Sequence, residues 1–193
     1  MNPHKIALLA SGTGSNALNI ISFFKENKNV KVEFVLSNKI SAPIVESAQK
    51  LGINVLTCSN SEVESESFLL DICKKKQIDY IILAGFLRKI PAKLIENYPE
   101  KIINIHPALL PNYGGEGMYG KFVHLEVIKN RERETGITIH FVNSEYDKGR
   151  IIAQFKCDLT ENETLESVQA KIHDLEMAYF PRVIEKVLSN SIS

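Results

Sequence analysis

The sequence predicts an α/β fold, a single-domain, doubly wound and mostly parallel sheet with a long C-terminal helix. Three observations carry this. The first hundred residues alternate short apolar runs with amphipathic stretches, the rhythm of βαβ units. The strongest run, Tyr80–Ala84 (YIILA), is continuous instead of alternating, as suits a strand covered on both faces. Near the end, Leu165, Val168, Ile172 and Leu175 recur at helical core spacing.

Element by element, Lys5–Ala10 (KIALLA) predicts a buried strand. Ser15–Lys25 predicts a helix with Leu18, Ile21 and Phe24 on one side. Lys31–Leu36 is a second strand, Ala42–Leu51 a second helix and Asn54–Thr57 a short third strand. Glu64–Lys76 predicts one helix, whose closing lysine run suits the negative C-terminal end. After YIILA, Pro91 opens a short helix, where its fixed φ is welcome, and Lys101–Ile105 is the next strand. Gly114, Gly115, Gly117 and Gly120 predict a mobile loop, followed by a helix over Phe122–Lys129. Gly136–Val142 (GITIHFV) and Arg150–Cys157 (RIIAQFKC) are strands joined by the turn-forming NSEYDKG. The final helix, Thr164–Leu188, is expected to be interrupted at Pro181. No internal repeat or low-complexity linker divides the chain, so residues 1–193 read as one domain.

Composition narrows the function classes. Lys+Arg and Asp+Glu both number 23, so the chain is formally neutral and lacks the basic excess of a nucleic-acid binder. The three cysteines, Cys58, Cys73 and Cys157, show neither zinc spacing nor a disulfide framework and fit buried thiols in a reducing cytosol. The N-terminal apolar run is far too short for a signal or membrane segment. The expectation is a cytoplasmic protein acting on small molecules, without nucleic acid, membrane or metal.

In such sheets ligands bind beyond the carboxyl ends of the strands. Three features fall there: SGTGSN after the first strand, the Gly85–Ile90 turn after YIILA, and NIHP after KIINI. Glycines in the first allow close backbone approach, and the following helix N-terminus offers unpaired N–H groups, so an anion, most simply a terminal phosphate, is the natural guest. A tight strand-to-helix turn with Ser15 or Asn16 near the cap is an equal reading of the motif alone. Gly12-x-Gly14-x-x-Ala17 also matches a dinucleotide fingerprint, yet the second strand ends Leu36-Ser37-Asn38-Lys39, without the carboxylate that would hold a ribose.

In NIHP, alternation along an extended strand puts Asn104 and His106 on the same side. Both would face one reacting centre, the amide as hydrogen-bond donor and the imidazole as proton carrier. Pro107 and Pro111 would stiffen the turn that holds them. Asp147 is the candidate that orients His106, with Gly149 allowing a sharp bend just beyond it. On spacing alone, a turn aspartate bonding its own backbone is the stronger reading of Asp147. The other histidines, His4, His124, His140 and His173, read as structural, although His140 could face the cleft.

Taken in order, SGTGSN, then AGFLR and NIHPALLP, then GITIHFVNSEYDKGRII, resemble the folate-dependent formyltransferases over nearly the whole chain. The resemblance is to the branch of de novo purine biosynthesis. It implies a Rossmann-like formyltransferase fold and transfer of a formyl group from 10-formyltetrahydrofolate, a co-substrate, to the amino group of glycinamide ribonucleotide. By the same resemblance Asn104, His106 and Asp147 are the catalytic set. Gly12, Thr13, Gly14, Ser15 and Asn16 would take the ribonucleotide phosphate, and Glu176 its sugar. Leu87, Arg88, Lys89 and Ile90, with Asn104, would lie along the folate pterin. A monomer or homodimer is implied. The chain departs from the family pattern at Ala108, where Ser is common, and in the loop NYGGEGMYG. It also has no basic residue in SEVESES to hold the folate tail.

Competing expectations are a formyltetrahydrofolate deformylase, a methionyl-tRNA formyltransferase, a non-catalytic nucleotide-binding module and a nicotinamide oxidoreductase. A first strand beginning by Lys5 speaks against the first, and neutrality with an end at Ser193 against the second. The module would keep His106 and Asp147 apart, and the oxidoreductase lacks its ribose carboxylate.

Overall fold

A computed structural model describes residues 2–190. The first half runs β1 (His4–Leu9), α1 (Ser15–Phe24), β2 (Val30–Ser37), α2 (Pro43–Lys50), β3 (Val55–Thr57), α3 (Asn60–Glu64), α4 (Phe68–Lys75) and β4 (Tyr80–Leu83). The second half runs α5 (Ala92–Asn97), β5 (Ile102–His106), α6 (Lys121–Lys129), β6 (Glu134–Phe141), β7 (Ile151–Asp158) and α7 (Leu165–Asn190). The seven strands form one sheet in the order β3-β2-β1-β4-β5-β6-β7. The pairings from β3 across to β5 are parallel, while β6 runs antiparallel to both β5 and β7. The doubly wound, mostly parallel expectation therefore holds. The chain winds outward in opposite directions from β1 and β4, which puts a crevice at their carboxyl ends.

Pleating divides the core. β1 sends Ile6 and Leu8 to one face and Ala7 and Leu9 to the other. The first face packs Ile20 and Phe24 of α1, Ile44 of α2 and Ile172, Phe180 and Ile184 of α7. The second packs Val63 of α3, Leu69, Leu70 and Cys73 of α4 and Leu94 of α5. Cys58 and Cys73 are buried as expected, whereas Cys157 on the edge strand β7 is half-buried. Among the described residues no helix is long and apolar enough to cross a membrane.

Two expectations are corrected. The single helix over Glu64–Lys76 is two, α3 and α4, because Ser59 and Glu62 form a capping box that starts a turn early and Ser65 is extended. Pro181 does not interrupt the last helix, which is continuous over Leu165–Asn190. A proline at 181 has no N–H for the carbonyl four residues back, that of Met177. The Asn19 amide supplies the missing donor, Nδ2 to Met177 O at 2.9 Å. Burial of Phe180, Pro181 and Ile184 holds the helix in place on either side. Asn19→Leu should therefore cost about 1–2 kcal/mol, the lower part of the range for a stranded polar group because Met177 is half-buried. Urea unfolding with an unchanged midpoint would contradict this account.

Candidate active site

Five segments meet at the carboxyl ends of β1, β4 and β5. The first is the glycine loop. Gly14 takes the left-handed conformation (φ 74°) as the residue before α1, and no side chain caps that helix. A Cβ on Gly14 would stand 2.4 Å from the Ile44 side chain, so only glycine fits. Ser15 and Asn16 are the first two residues of that helix, near its cap as expected, but neither side chain serves as the cap. Gly12 and Thr13 are exposed, while Asn16 turns inward and donates its Nδ2 to Glu176 Oε2 on α7 at 2.8 Å. Asn16 Oδ1 is buried without a protein partner. Burial pushes the Glu176 carboxyl above its ordinary range, against the opposing pull of the Asn16 amide.

Ser11 locks this loop to the turn after β4. Its hydroxyl donates to Asn38 Oδ1 at 2.6 Å and accepts from the Leu87 N–H at 3.0 Å. Asn38, at the place where a ribose carboxylate would be sought, is thus spent on structure, bonding Asn60 as well at 2.8 Å. On the second segment, Leu87 is exposed and Ile90 buried. Arg88 forms an ion pair with Glu64 of the SEVESES stretch, and the Lys89 ammonium lies 5.6 Å from the centre of the Tyr146 ring.

The third segment is the end of β5 and the turn beyond it. Thr138 on β6 holds the turn from behind: its hydroxyl donates to Ala108 O at 2.6 Å and accepts from Leu110 N–H and Gln154 Nε2. The Leu110–Pro111 peptide is cis. Asn104 pairs across the sheet with His140, and His106 with Thr138. His140 Nδ1 lies 2.9 Å from the Phe141 carbonyl, which can only accept, so Nδ1 carries the proton and Nε2 accepts from Asn104 Nδ2 at 3.0 Å. One amide N–H of Asn104 is thereby fixed on His140, and the other is left for the cleft.

The fourth segment, between β6 and β7, brings Asp147 (φ 57°) to the same place. Asp147 Oδ2 lies 3.5 Å from His106 Nδ1, and Oδ1 lies 3.6 Å from His140 Nε2. Burial alone would raise the Asp147 carboxyl, but His140, His106 and the Gly115 N–H together hold it below its ordinary range. For His106 the balance falls the other way. Burial drives the imidazole below its ordinary pKa, and the opposing pull of Asp147 and of the Tyr113 carbonyl does not reverse it. Asp147 does favour the charged imidazole, as expected, but desolvation is larger. Among the four histidines expected to be structural, His124, His140 and His173 line the cleft. The signal for His140 was its parity on β6 opposite Asn104. His124, buried on α6 with Nδ1 unpartnered, gave none.

Residues 113–120 form the fifth segment, of which Gly115–Gly120 close the side of a cavity of about 920 Å³. Asn16, the whole Leu87–Ile90 segment, Asn104, His106, Asp147 and Glu176 line it together. Gly12, Thr13, Gly14 and Ser15 are not in its wall but sit beside Asn16 at the α1 terminus. The arrangement offers a fixed amide donor, an imidazole–carboxylate pair and an anion-binding helix end around one space, the set expected for acyl transfer.

Comparison with known proteins agrees. The chain is 37% identical over 97% of its length to a phosphoribosylglycinamide formyltransferase of Arabidopsis thaliana, of which it spans 66%. It is 33% identical to the Bacillus subtilis phosphoribosylglycinamide formyltransferase, with 95% of this chain and 94% of that one covered. A crystal structure of phosphoribosylglycinamide formyltransferase from Bacillus halodurans superposes with a TM-score of 0.87 at 32% identity, covering 97% of this chain and 96% of that chain. The formyl transferase family model matches residues 4–184, and the chain belongs to that family.

Proposed function

We propose that the chain transfers the formyl group of 10-formyltetrahydrofolate to the amino group of glycinamide ribonucleotide, giving formylglycinamide ribonucleotide and tetrahydrofolate in purine biosynthesis. The observation that carries this is the meeting of Asn104, His106 and Asp147 in one cavity, in a chain so like the Bacillus enzyme along its whole length. The ribonucleotide phosphate sits on the α1 terminus at Gly12–Asn16, and Glu176 takes its sugar hydroxyls. The folate lies against Leu87–Ile90, where apolar Ile90 and Leu87 suit a flat ring system.

The substrate amine attacks the formyl carbon, and the carbonyl π electrons move to oxygen. The free N–H of Asn104 donates to that oxyanion. Both ring nitrogens of His106 are turned toward protein oxygens, Tyr113 O at 2.7 Å and Asp147 Oδ2 at 3.5 Å. Burial disfavours a charge on His106 in the empty site, so the ring becomes positive only as it takes up the proton the attacking amine loses, and Asp147 holds that charge beside the oxyanion. When the bond from carbon to the folate nitrogen breaks, that nitrogen gains the proton the amine has lost, by way of water in the cleft.

Mixing the protein with both substrates should release tetrahydrofolate only when both are present. Release with folate alone would assign the site to deformylation. No release even with both present would leave a binding module. Nothing in this scheme depends on the cellular compartment or on whether the chain works as a monomer or a homodimer.

A further inference from the structure

We infer that Tyr113, Gly114 and Gly115 form a main-chain clamp that positions the His106–Asp147 pair, and that Glu132 holds the clamp by its tyrosine. The inference rests on the formyl-transfer function proposed above. The Tyr113 carbonyl accepts from His106 Nε2 at 2.7 Å, and two residues on the Gly115 N–H donates to Asp147 Oδ2 at 3.0 Å. That carboxylate oxygen is the one that faces His106 Nδ1 at 3.5 Å. A single turn thus grips the far end of the imidazole and the near oxygen of its partner.

A methyl on Gly114 between them would press on two side chains, one of them Asp147 itself. A Cβ there would stand 2.4 Å from Leu110 Cδ2 and 3.2 Å from Asp147 Cβ. Tyr113 itself holds a left-handed backbone (φ 57°), a conformation a tyrosine disfavours. Its hydroxyl donates to Glu132 Oε1 at 2.6 Å, which ties the turn to the segment between α6 and β6. The consequence for chemistry is a fixed proton. A carbonyl can only accept, so Nε2 stays protonated and any proton gained or lost by His106 is at Nδ1, facing Asp147.

The groups that face His106 are Asp147 from the β6–β7 loop, His140 from β6, His124 from α6 and the Tyr113 carbonyl, while α7 adds His173 and Glu176 to the same cavity. Asp147 and the Tyr113 carbonyl favour the charged ring, and burial and His140 oppose it. Loosening the clamp removes a favourable partner, so the ring loses its proton at lower pH. If the charged ring is the working form, the alkaline limb of kcat moves down in pH.

The test uses the full chain with both substrates. Gly114→Ala should lower kcat about 10²-fold, the usual cost of a small misplacement of reacting groups. KM for glycinamide ribonucleotide should not change, and the alkaline limb should move to lower pH. Tyr113→Phe, which leaves the backbone intact but removes the Glu132 tie, should move the same limb in the same direction and lower kcat about tenfold, a partial version of that misplacement. If Gly114→Ala does not fold, Tyr113→Phe decides. A folded variant with the wild-type kcat and pH profile overturns the clamp, and so does one that changes KM alone. A wild-type protein that transfers no formyl group overturns the proposed function instead.

Discussion

Asp147→Asn should leave the protein folded, still binding glycinamide ribonucleotide, and turning over at least about a hundredfold more slowly. The substitution keeps size and shape, and the side-chain oxygen can still accept from the Gly115 N–H, now at 3.0 Å. What it removes is the negative charge that two imidazoles face, at 3.5 Å from His106 and 3.6 Å from His140. Without it, burial goes unopposed by any charge, and His106 stays neutral when the oxyanion forms. His106→Ala should cause a loss of the same order by removing the charge itself. Turnover and ribonucleotide binding, measured separately, check both, and near-normal activity in either variant would end its assigned role. Stability responds with opposite signs. The lowered carboxyl of Asp147 contributes stability above its ordinary pKa of 3.8, lost as pH falls through its folded value. His106, buried and lowered, makes the wild type less stable as pH falls below about 6.5, its ordinary value. His106→Ala should flatten that second slope, and Asp147→Asn the first.

Gly149→Ala should be the most damaging single methyl in the chain. A Cβ at 149 would stand 1.6 Å from the Phe141 carbonyl oxygen and 2.7 Å from its carbon, and both are backbone. That oxygen also accepts from His140 Nδ1, and the Phe141 N–H bonds Arg150 O at 2.9 Å. Relief would have to separate β6 from the start of β7, and Asp147 hangs between them. The expected cost is more than about 4 kcal/mol, in the range reserved for disrupted backbone or core. Gly52→Ala is the control. It meets nothing within 4 Å and is strained only by its φ of 75°, so about 1–2 kcal/mol is expected. Equal urea midpoints for the two variants would remove the steric argument.

Gly149 also illustrates what could be read in advance. The sequence suggested a bend, but the constraint is close approach to a neighbouring strand, which depends on register. Asn104 and His106 were legible because strand alternation is local and the strand end is marked by proline. Asp147 was not, since a turn aspartate and a partner of His106 have the same local pattern, and only the family likeness favoured the second. The Thr138 and Gln154 bonds that brace the 108–110 turn were invisible, being side-chain contacts from β6 and β7 to the backbone of a turn far away in sequence. Pro181 misled for a similar reason. Its remedy, Asn19, lies 158 residues from the carbonyl it serves. The parallel character of the sheet was legible, because buried parallel strands are written as unbroken apolar runs.

The three asparagines of the first helical region and its exit, Asn16, Asn19 and Asn27, reach the last helix at Glu176, Met177 and Glu185. The two ends of the polypeptide are therefore sewn along a seam that starts at the floor of the cavity. Amide hydrogens along this seam should exchange with deuterium late, near the rate of global unfolding, whereas those of residues 116–120, beyond the clamp, should exchange early. Under the proposed function, the ribonucleotide would be received on a rigid anvil and the second substrate admitted past the more yielding wall.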